Sequence, residues 1–436
     1  MNKTKPKIPA GFLELLPADQ IAFKKMLSTI QKVYEQFGFT PIETPALEFS
    51  EVLLAKAGGE TEKQIYELER GDKKYCLHFD LTVPLARYVA EHFNDLVFPF
   101  RRYQIQKVWR AERPQKGRFR EFYQCDIDVI GSTNPLIDAE MVSVINSVFT
   151  ELKLGGFVVH ISNRKIAAGF LNSLDLKEKS SQILRLIDKI DRQERKDLEK
   201  EMEQIDLTSK QIESIFSFVS IGGSNKEIIS YLKELQVTDE LFNQGLIELE
   251  TVVDGITSLG VPESNFKINL KIARGLDYYT GTVYETFLTD YPSFGSVCSG
   301  GRFDDLASHY ANEKLPGVGI SIGLTRLFSQ LKANEAIDNS IKTTAKVLVA
   351  QMDAEFLPKC LEVASIFRKA EINTEVYFDS EKIGKQIKYA DRLSIPFVII
   401  IGEQEQKKDT VTLKDMKSGE QFSLTTEEAI KKISSN

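Results

Sequence analysis

The spacing of apolar residues predicts a helix near the N-terminus and a pair of strands further along the chain. In residues 19–38 the apolar side chains recur three and four positions apart, as on one face of an amphipathic helix, and Gly38 stands where a helix C-cap belongs. Residues 98–131 predict two strands joined by a loop at 111–117, which contains the proline and glycine typical of turns. The first part of the chain therefore mixes helix and strand.

The second of these strands has one mostly polar face, because successive side chains of a strand point to opposite sides. The mostly polar side comprises Phe122, Gln124, Asp126 and Asp128, and the other side comprises Tyr123, Cys125, Ile127 and Val129. Several polar groups on one strand face indicate either contact with solvent or a binding site.

The pattern changes three times after this strand. Residues 171–255 are helical and heavily charged, residues 266–330 return to strands, glycines and aromatic residues, and residues 333–344 form a polar, patternless linker. Strands and helices then alternate over about 90 residues, which predicts a small α/β domain. The predicted organisation is a β-rich core made of residues 1–170 and 256–332, a helical insertion at 171–255, and an α/β domain at 345–436.

The elements of this last domain can be predicted individually. The expected elements are strands at 348–350, 374–378 and 396–402, helices at 356–370 and 380–393, a hairpin near Gly419, and a final helix opened by the capping box Thr425–Glu428. The apolar run at 396–402 is typical of a strand that is buried in a parallel sheet.

Composition excludes several classes of protein. The chain has 436 residues, 42% of them hydrophobic and 27% charged, as in ordinary folded proteins of two or three domains. No apolar run approaches 18 residues, so we expect no membrane span, and the N-terminus does not resemble a secretory signal. Its four cysteines are scattered, which favours reduced thiols in the cytoplasm, and no Cys/His spacing predicts a metal site.

The net charge of −7 argues against a nucleic-acid partner, but its distribution argues otherwise. Residues 101–120 contain eight basic residues against one acid, Glu112. This run indicates either a site for phosphates or a polyanion, or a solvated basic loop.

Four segments combine glycines, arginines and acids in arrangements that core packing does not require. They are residues 109–122 (WRAERPQKGRFREF), 274–285 (RGLDYYTGTVYE), 296–304 (SVCSGGRFD) and 317–327 (GVGISIGLTRL). Arginine suits phosphate because it is always charged and offers a planar fork of donors, so Arg110, Arg118 and Arg326 are candidate phosphate ligands. No segment matches the glycine-rich phosphate loop, so an ATP site, if the chain has one, would consist of arginines on an antiparallel sheet.

These segments resemble the class II aminoacyl-tRNA synthetases and, among them, the histidyl-tRNA synthetase family. Residues 38–48, 109–131 and 317–327 resemble the three class motifs, and the first of these motifs forms a dimer interface. The RGLDYY and SVCSGGRFD blocks resemble the two that distinguish the histidine enzymes, and residues 345–436 resemble their anticodon-binding domain. The resemblance implies an α+β fold, with an antiparallel-sheet catalytic core, a helical insertion and a C-terminal α/β anticodon-binding domain.

The resemblance implies a histidine–tRNA ligase: ATP, supplied with Mg²⁺ as its substrate complex, and histidine would give histidyl-adenylate and pyrophosphate, and the histidyl group would then move to the 3′ end of tRNA(His). Arg110 and Arg274 would act on the α-phosphate and the histidine carboxylate as catalytic residues. Arg118 and Arg326 would hold the outer phosphates, and Glu112 would face the adenine. Such catalysis consists mainly of positioning and preorganised positive charge.

The histidine pocket is implied in the same way. Asp80, Thr82 and Gln124 would bind the α-ammonium group of the substrate. Asp128 would accept a hydrogen bond from one imidazole nitrogen, Tyr279 would bond the other, and Tyr278 would line the wall. A site that pairs both ring nitrogens rejects other amino acids, so no editing domain is needed.

The implied partners are tRNA(His) and a second copy of the chain in a homodimer. Arg113 and Gln115 would approach the tRNA acceptor end, where we hypothesise that their loop reads the extra 5′ guanosine carried by this family's tRNA. The C-terminal domain would bind the anticodon loop, whose bases are single-stranded.

Two alternatives remain open. One is a synthetase-like regulatory subunit of a histidine-biosynthetic phosphoribosyltransferase, but those relatives generally lack the RGLDYY block and the C-terminal domain that this chain keeps. The other is a non-catalytic tRNA sensor, which would bind tRNA without histidine-dependent pyrophosphate exchange.

Overall fold

The chain folds into two compact units, each of which is described by itself. The computed structural model describes residues 4–54, 64–113, 117–191, 193–272, 279–305, 310 and 314–435. The first unit comprises residues 1–13 and 27–336, and the second comprises residues 14–26 and 337–436. No helix in these described ranges is both long and apolar enough to cross a membrane.

The first unit combines sheets with many helices. Its strands are β1 (Thr40–Pro41), β2 (Leu47–Phe49), β3 (Glu67–Arg70), β4 (Lys73–Leu77), β5 (Phe100–Trp109), β6 (Glu121–Ile130), β7 (Phe157–Asn163), β8 (Phe266–Ile268), β9 (Thr282–Leu288), β10 (Cys298–Phe303) and β11 (Gly317–Gly323). Its helices are the C-terminal half of α1 (Pro17–Gln36), α2 (Ser50–Leu54), α3 (Thr82–Glu91), α4 (Leu136–Leu152), α5 (Arg164–Ser173), α6 (Ser180–Ile187), α7 (Arg195–Glu203), α8 (Ser209–Val219), α9 (Asn225–Glu234), α10 (Glu240–Ser258) and α11 (Leu324–Ala333).

A large, mostly antiparallel sheet organises this unit. Its strand order is β1-β5-β6-β11-β10-β9-β7-β8, and only the two outer strands, β1 and β8, run parallel to their neighbours. The pair β5–β6 spans ten residues in each strand, which confirms the two strands predicted at 98–131. Strands β6 and β11 are far apart in sequence but adjacent in the sheet, so the fold joins two of the candidate motif segments directly.

Helices cover the apolar face of this sheet. Tyr34 of α1 is buried and its hydroxyl donates to the carbonyl oxygen of Cys125 at 3.0 Å. Tyr284 of β9 donates in the same way to Asp138 of α4 at 2.9 Å. The helix predicted at 19–38 is confirmed, and Gly38 takes the left-handed φ of +76° expected of a C-terminal cap.

A buried ion pair fixes α4 to the same face. Both carboxylate oxygens of Asp138 accept from Nε of Arg302, at 2.9 and 3.0 Å, and the two side chains are almost fully buried. Arg302 also donates to the carbonyl oxygen of Ser132 at 2.8 Å. The arginine of the SGGRFD block therefore contacts α4 on the apolar side of the sheet and does not lie on the opposite, polar face.

Helices α5 to α10 follow β7 in sequence. Helix α10 packs against α4, α5 and β7, while α6 to α9 continue the charged helical stretch. The glycine pair at 222–223 separates α8 from α9, and Ser224 opens α9 with a capping box to Glu227. The sequence expectation of helices interrupted at this point is confirmed.

The second unit contains a mixed five-stranded sheet. Its elements are β12 (Val347–Gln351), α12 (Leu357–Lys369), β13 (Thr374–Val376), α13 (Ile383–Arg392), β14 (Phe397–Ile401), α14 (Glu403–Lys408), β15 (Val411–Asp415), β16 (Gln421–Leu424) and α15 (Thr426–Ser434). The strand order is β13-β12-β14-β15-β16. Strand β14 runs parallel to β12 and antiparallel to β15, so the predicted parallel strand is parallel on one side only. The Thr425–Glu428 capping box opens α15 as predicted.

Candidate active site

The face of the main sheet opposite α1 and α4 carries small and polar residues in register across four strands. One row consists of Arg102, Asp128, Gly319 and Gly301, on β5, β6, β11 and β10 respectively. The next row on this face consists of Gln104, Asp126, Ser321 and Ser299. Because directly opposite residues of a sheet point to the same side, the polar face predicted for β6 continues across its neighbours.

Two glycines of the first row, Gly319 and Gly301, form a surface without side chains that is called the glycine strip. A side chain at Gly319 would put its Cβ 2.0 Å from Oδ1 of Asp128, and one at Gly301 would put its Cβ 2.9 Å from Cδ1 of Tyr279. Real Cβ contacts are not that short, so glycine is what allows Asp128 to lie over β11 and Tyr279 to lie over β10. Asp128 and Tyr279 therefore lie over the two neighbouring glycines of this strip, whose strands are one spacing, or about 5 Å, apart.

A cavity of about 320 Å³ opens beside this strip. Its lining residues come from the loop between β5 and β6, from β6 itself, from the start of β10 and from the junction of β11 with α11. They are Arg110, Glu112, Gly117, Arg118, Phe119, Phe122, Gln124, Ser296, Val297, Cys298, Ser299, Ser321, Gly323, Arg326 and Leu327. The combination of arginines, aromatic rings and hydroxyls suits a ligand that carries both phosphates and a planar base.

Arg110 is the most constrained of the three arginines. Its Nε donates to the carbonyl oxygen of Phe79 at 3.1 Å, and its guanidinium carbon lies 5.1 Å from the centroid of the Phe122 ring. A hydrogen bond and a cation–π contact together hold the guanidinium in one orientation. Arg110 is thus prepared to meet an anion without first losing side-chain freedom.

The other two arginines are more exposed. Arg118 lies 3.5 Å from the Glu112 carboxylate and its side chain is 62% exposed, so this pair adds little stability and can rearrange around a ligand. Arg326 stands in the first turn of α11, where helix N–H groups also favour anions, and it donates to the carbonyl oxygen of Phe294 at 2.7 Å.

Three carboxylates are buried on the same side of the sheet. Oδ1 of Asp80 accepts from the backbone N–H of Val83 at 3.1 Å, at the start of α3, and burial raises the pKa of Asp80. Burial also raises the pKa of Asp126 to about 6 and that of Asp128 to about 7, and the Arg102 guanidinium offsets part of each rise. The carboxylates also raise one another's pKa values, so they form one electrostatic cluster.

This cluster contains acceptors that the protein does not satisfy. Among the described residues, Oδ2 of Asp80, Oδ1 of Asp126 and Oε1 of Gln124 are buried without a hydrogen-bond donor. The amide nitrogen of Gln124 donates to Oγ of Ser321 at 2.8 Å, which leaves its oxygen as the group to be satisfied. An unpaired buried acceptor costs about 1–3 kcal/mol, so this set indicates a ligand that supplies several donors, such as an ammonium group.

The structure brings many of the predicted site residues together. Those that line the cavity are Arg110, Glu112, Arg118, Gln124 and Arg326. Those that lie in the same unit but outside the described lining are Asp80 and Thr82 at the start of α3, and Asp128 and Tyr279 beside the glycine strip. Arg113 is exposed after β5, and Arg274, Tyr278 and Gln115 lie outside the described residues.

Strand geometry divides the basic run at 101–120. Arg101 pairs with Glu140 at 2.9 Å and Lys107 pairs with Glu121 at 2.7 Å, so these two charges are used within the fold. Arg102 is fully buried. Of the residues of this run that the structure describes, Arg110 and Arg118 line the cavity, so these basic residues do not form a single patch.

Sequence reasoning gave no role to several residues of this face, namely Arg102, Asp126, Ser321, Gly319 and Gly301. A usable signal was present on β5, where Arg102, Gln104 and Gln106 are polar at every second position, as on β6. Which strand would lie beside β6 was not readable from that alternation, so the glycine strip could not be predicted.

Comparisons with known proteins identify the family of this chain. The sequence model of the family described as "Histidyl-tRNA synthetase" matches residues 11–327, and that described as "Anticodon binding domain" matches residues 345–436. Proteins named histidine–tRNA ligase are 53% identical in Clostridium tetani, over 98% of both chains, and 48% identical in Stenotrophomonas maltophilia, over 97% of this chain and 96% of the other.

A solved structure gives the same result for the fold. The histidyl-tRNA synthetase of Nostoc sp. PCC 7120 superposes with a TM-score of 0.91 at 41% identity, and the match covers 99% of this chain and 100% of the Nostoc chain. The predicted α+β fold of a class II synthetase is therefore confirmed. On the family match and on relatives of this identity and coverage, the chain belongs to the histidyl-tRNA synthetase family.

Proposed function

We propose that this chain is an ATP-dependent ligase that activates histidine as histidyl-adenylate and transfers it to the 3′ end of tRNA(His). The observation that carries the proposal is the polar sheet face, on which unsatisfied buried acceptors stand next to a cavity that contains three arginines. An amino acid carries an ammonium group next to a carboxylate, and ATP carries phosphates. The ammonium group matches the unsatisfied acceptors, and the carboxylate and phosphates match the arginines of the cavity.

The unsatisfied acceptors fit the α-ammonium group of the amino acid. Asp80, Asp126 and Gln124 present buried oxygens, and an ammonium has three donors and a positive charge. Thr82, in the first turn of α3, stands two residues from Asp80 and supplies a further polar group. This assignment keeps the residues expected from the resemblance and adds Asp126.

The glycine strip fits the imidazole. Asp128 on one side would accept from one ring N–H, and Tyr279 on the other side would bond the second nitrogen, with Tyr278 as part of the wall. A side chain without two ring nitrogens would leave these groups unpaired, which supports discrimination on the order of 10⁴-fold.

The three arginines fit ATP. Arg110 would hold the α-phosphate and the histidine carboxylate, Arg118 and Arg326 would hold the outer phosphates, and Glu112 would face the adenine near the rings of the cavity. The carboxylate oxygen attacks the α-phosphorus and pyrophosphate leaves; a ribose hydroxyl of the tRNA then attacks the histidyl carbonyl carbon and AMP leaves. Arg274 is proposed to stabilise the charge of the first step, and Mg²⁺ would arrive with ATP as part of the substrate complex.

The second unit fits the anticodon loop. Phe378 is 64% exposed and follows β13, while Met352 follows β12, so both lie at the carboxyl ends of parallel strands, where such sheets bind ligands. Gln351 donates to the carbonyl oxygen of Phe378 at 3.2 Å and so steadies its loop. Single-stranded bases stack on exposed aromatic rings. On the first unit, Arg113 is proposed to approach the acceptor end together with Gln115.

A second copy of the chain fits the small sheet β2-β4-β3. One face of this sheet packs on the buried cluster around Cys76 and Leu53, whereas the other exposes Leu47, Phe49 and Leu68. Exposed apolar residues that are grouped in this way usually mark an interface. Because β2 continues the segment that resembles the first class motif, the homodimer is proposed to form across this face.

The proposed domain organisation is a core at 1–170 and 256–332, an insertion at 171–255 and an anticodon-binding domain at 345–436. The cytoplasmic location stays a prediction. The match of an anticodon-binding domain at the C-terminus favours the ligase over the regulatory-subunit alternative.

The proposed function predicts histidine-dependent exchange of pyrophosphate into ATP. The assay is run with each of the twenty amino acids, and signal is expected with histidine alone, because only histidine pairs both sides of the strip. Arg274→Ala should abolish the exchange while leaving tRNA binding intact. Absence of exchange with every amino acid, combined with retained tRNA binding, would favour the non-catalytic sensor instead.

Asp126→Asn should stabilise the first unit at alkaline pH. Burial raises the pKa of Asp126 from 3.8 to about 6, so the stability linked to the protonated form is complete below about pH 4 and is lost as pH rises through 6. Asparagine resembles the protonated carboxyl, so the variant should gain on the order of 1–3 kcal/mol in unfolding free energy at pH 8, and less at pH 5. Urea unfolding followed by the fluorescence of Trp109, the one tryptophan of the chain, measures the difference.

The same variant should bind histidine more weakly, with a KM in the exchange assay raised about tenfold, because a charge facing the ammonium is lost. The exposed Asp95→Asn is the control and should leave that KM unchanged. A normal KM for histidine in Asp126→Asn contradicts the role of Asp126 in binding the ammonium group. Destabilisation of the variant at pH 8 contradicts the raised pKa of Asp126.

Phe378→Ala should lower kcat/KM for tRNA charging about tenfold without altering pyrophosphate exchange, because one stacked base is worth about 1–3 kcal/mol. Leu361→Ala, at another exposed apolar residue of the same unit, is the matched control. Equal charging by Phe378→Ala and the unmodified chain argues against this surface as the anticodon contact.

Phe49→Glu should convert the dimer to monomers in sedimentation equilibrium, because a carboxylate would be buried in an apolar interface. Val97→Glu replaces an apolar residue that is 83% exposed and lies outside the small sheet, so it should sediment like the unmodified chain. A Phe49→Glu variant that remains dimeric places the interface elsewhere.

A further inference from the structure

Arg102 is a fully buried arginine one strand behind the proposed histidine pocket. It lies directly opposite Asp128 in the β5–β6 register, and its NH2 is 2.5 Å from Oδ2 of Asp128. The neighbouring Arg101 points to the other side of the strand, where it pairs with Glu140. Two successive arginines of one strand are thus used in two different ways.

The position of Arg102 is fixed from its other side by a chain of amides. NH1 of Arg102 donates to Oε1 of Gln104 at 3.4 Å, and Nε2 of Gln104 donates to Oγ1 of Thr44 at 2.9 Å. Thr44 belongs to the extended segment between β1 and β2. While its hydroxyl accepts from Gln104, its backbone N–H donates to Oε1 of Gln106 at 3.2 Å. A guanidinium held in this way keeps its positive charge beside the Asp128 carboxylate in one position.

Stability alone does not account for such a pair. Replacing a buried ion pair by apolar residues of similar volume is often neutral or stabilising, so a fully buried Arg–Asp pair is weak evidence for a structural role. The charges around it also favour a cationic ligand group. Among the described residues, the guanidiniums of Arg102 and Arg110 lower the pKa values of the three carboxylates, but Asp80 raises the pKa values of both Asp126 and Asp128, so a further positive charge would favour their ionised forms.

We propose that Arg102 is a positioning residue for histidine: it holds the Asp128 carboxylate over Gly319 as an acceptor for the imidazole N–H. The proposal rests on the proposed function and adds a residue that does not itself touch the substrate. With Arg102 beside Asp128, the α-ammonium supplies the positive charge for Asp80 and Asp126, and Asp128 remains as the acceptor for the imidazole N–H. Burial already raises the pKa of Asp128 to about 7, and Arg102 opposes that rise, so its removal favours a protonated Asp128 that can no longer accept in the same way.

Arg102→Met tests this in the histidine-dependent exchange assay. The KM for histidine should rise about 10- to 100-fold, the range found when a group that orients a metal-binding side chain is lost. The KM for ATP and kcat should stay within about threefold, because the arginines of the cavity are untouched. Arg101→Met is the matched control, since it removes the same side chain from the other side of the strand, and its KM for histidine should stay within about twofold.

A double-variant cycle separates action through Asp128 from a general structural effect. If Arg102 works through Asp128, the variant Arg102→Met/Asp128→Asn should show a KM no higher than that of Asp128→Asn alone. Effects that multiply would overturn the proposal, as would a normal KM in Arg102→Met. Should Arg102→Met fail to fold, Arg102→Lys keeps the charge but loses the fork of donors, and its KM should rise severalfold; an unchanged KM again overturns the proposal.

The exchange activity of the unmodified chain separates failure of the role given to Arg102 from failure of the proposed function. If it exchanges pyrophosphate with histidine while the Arg102 variants behave normally, only the role of Arg102 is rejected. If it shows no exchange with any amino acid, the proposed function falls and the assignment of Arg102 falls with it.

Discussion

Burial of charge on one face of a β-sheet is the constraint on which the rest of this structure depends. Asp126 and Asp128 lie on β6, at the centre of the sheet, where loss of hydration disfavours their ionised forms. They stay in place because β5 supplies Arg102 directly opposite and β11 supplies Gly319 and Ser321. The sheet register, more than any single contact, decides which groups compensate these charges.

The opposite, apolar face of the sheet is covered by packed helices. Tyr34 of α1 and Asp138 of α4 are buried against the sheet, and the pair Arg302–Asp138 is paired on both oxygens. Tyr34, Tyr284 and both oxygens of Asp138 have partners here, whereas on the other face acceptors of Asp80, Asp126 and Gln124 do not. A face that is anchored to its helices, behind one with unsatisfied acceptors, suits a preorganised binding site, because the side chains need not move when a ligand arrives.

The second unit follows a different principle. Its parallel strands β13, β12 and β14 are buried in an apolar core, and its exposed features lie in the loops at strand ends, such as Phe378. An exposed ring of this kind is the feature proposed to stack a single-stranded base, whereas the charged face of the first unit is proposed to bind a small ligand through paired hydrogen bonds.

The sequence by itself determined the elements, because helix and strand periodicities are local properties of the chain. The helix at 19–38, the strand pair at 98–131, the capping box at Thr425 and the alternating C-terminal domain were all readable, and the motif resemblance led to the correct family. Tertiary structure alone decided that β11 lies beside β6, because that pairing joins segments far apart in sequence. It therefore also decided the glycine strip under Asp128, the burial of Arg102 and the division of the basic run, since each depends on which strand is the neighbour and not on the order of residues within one strand.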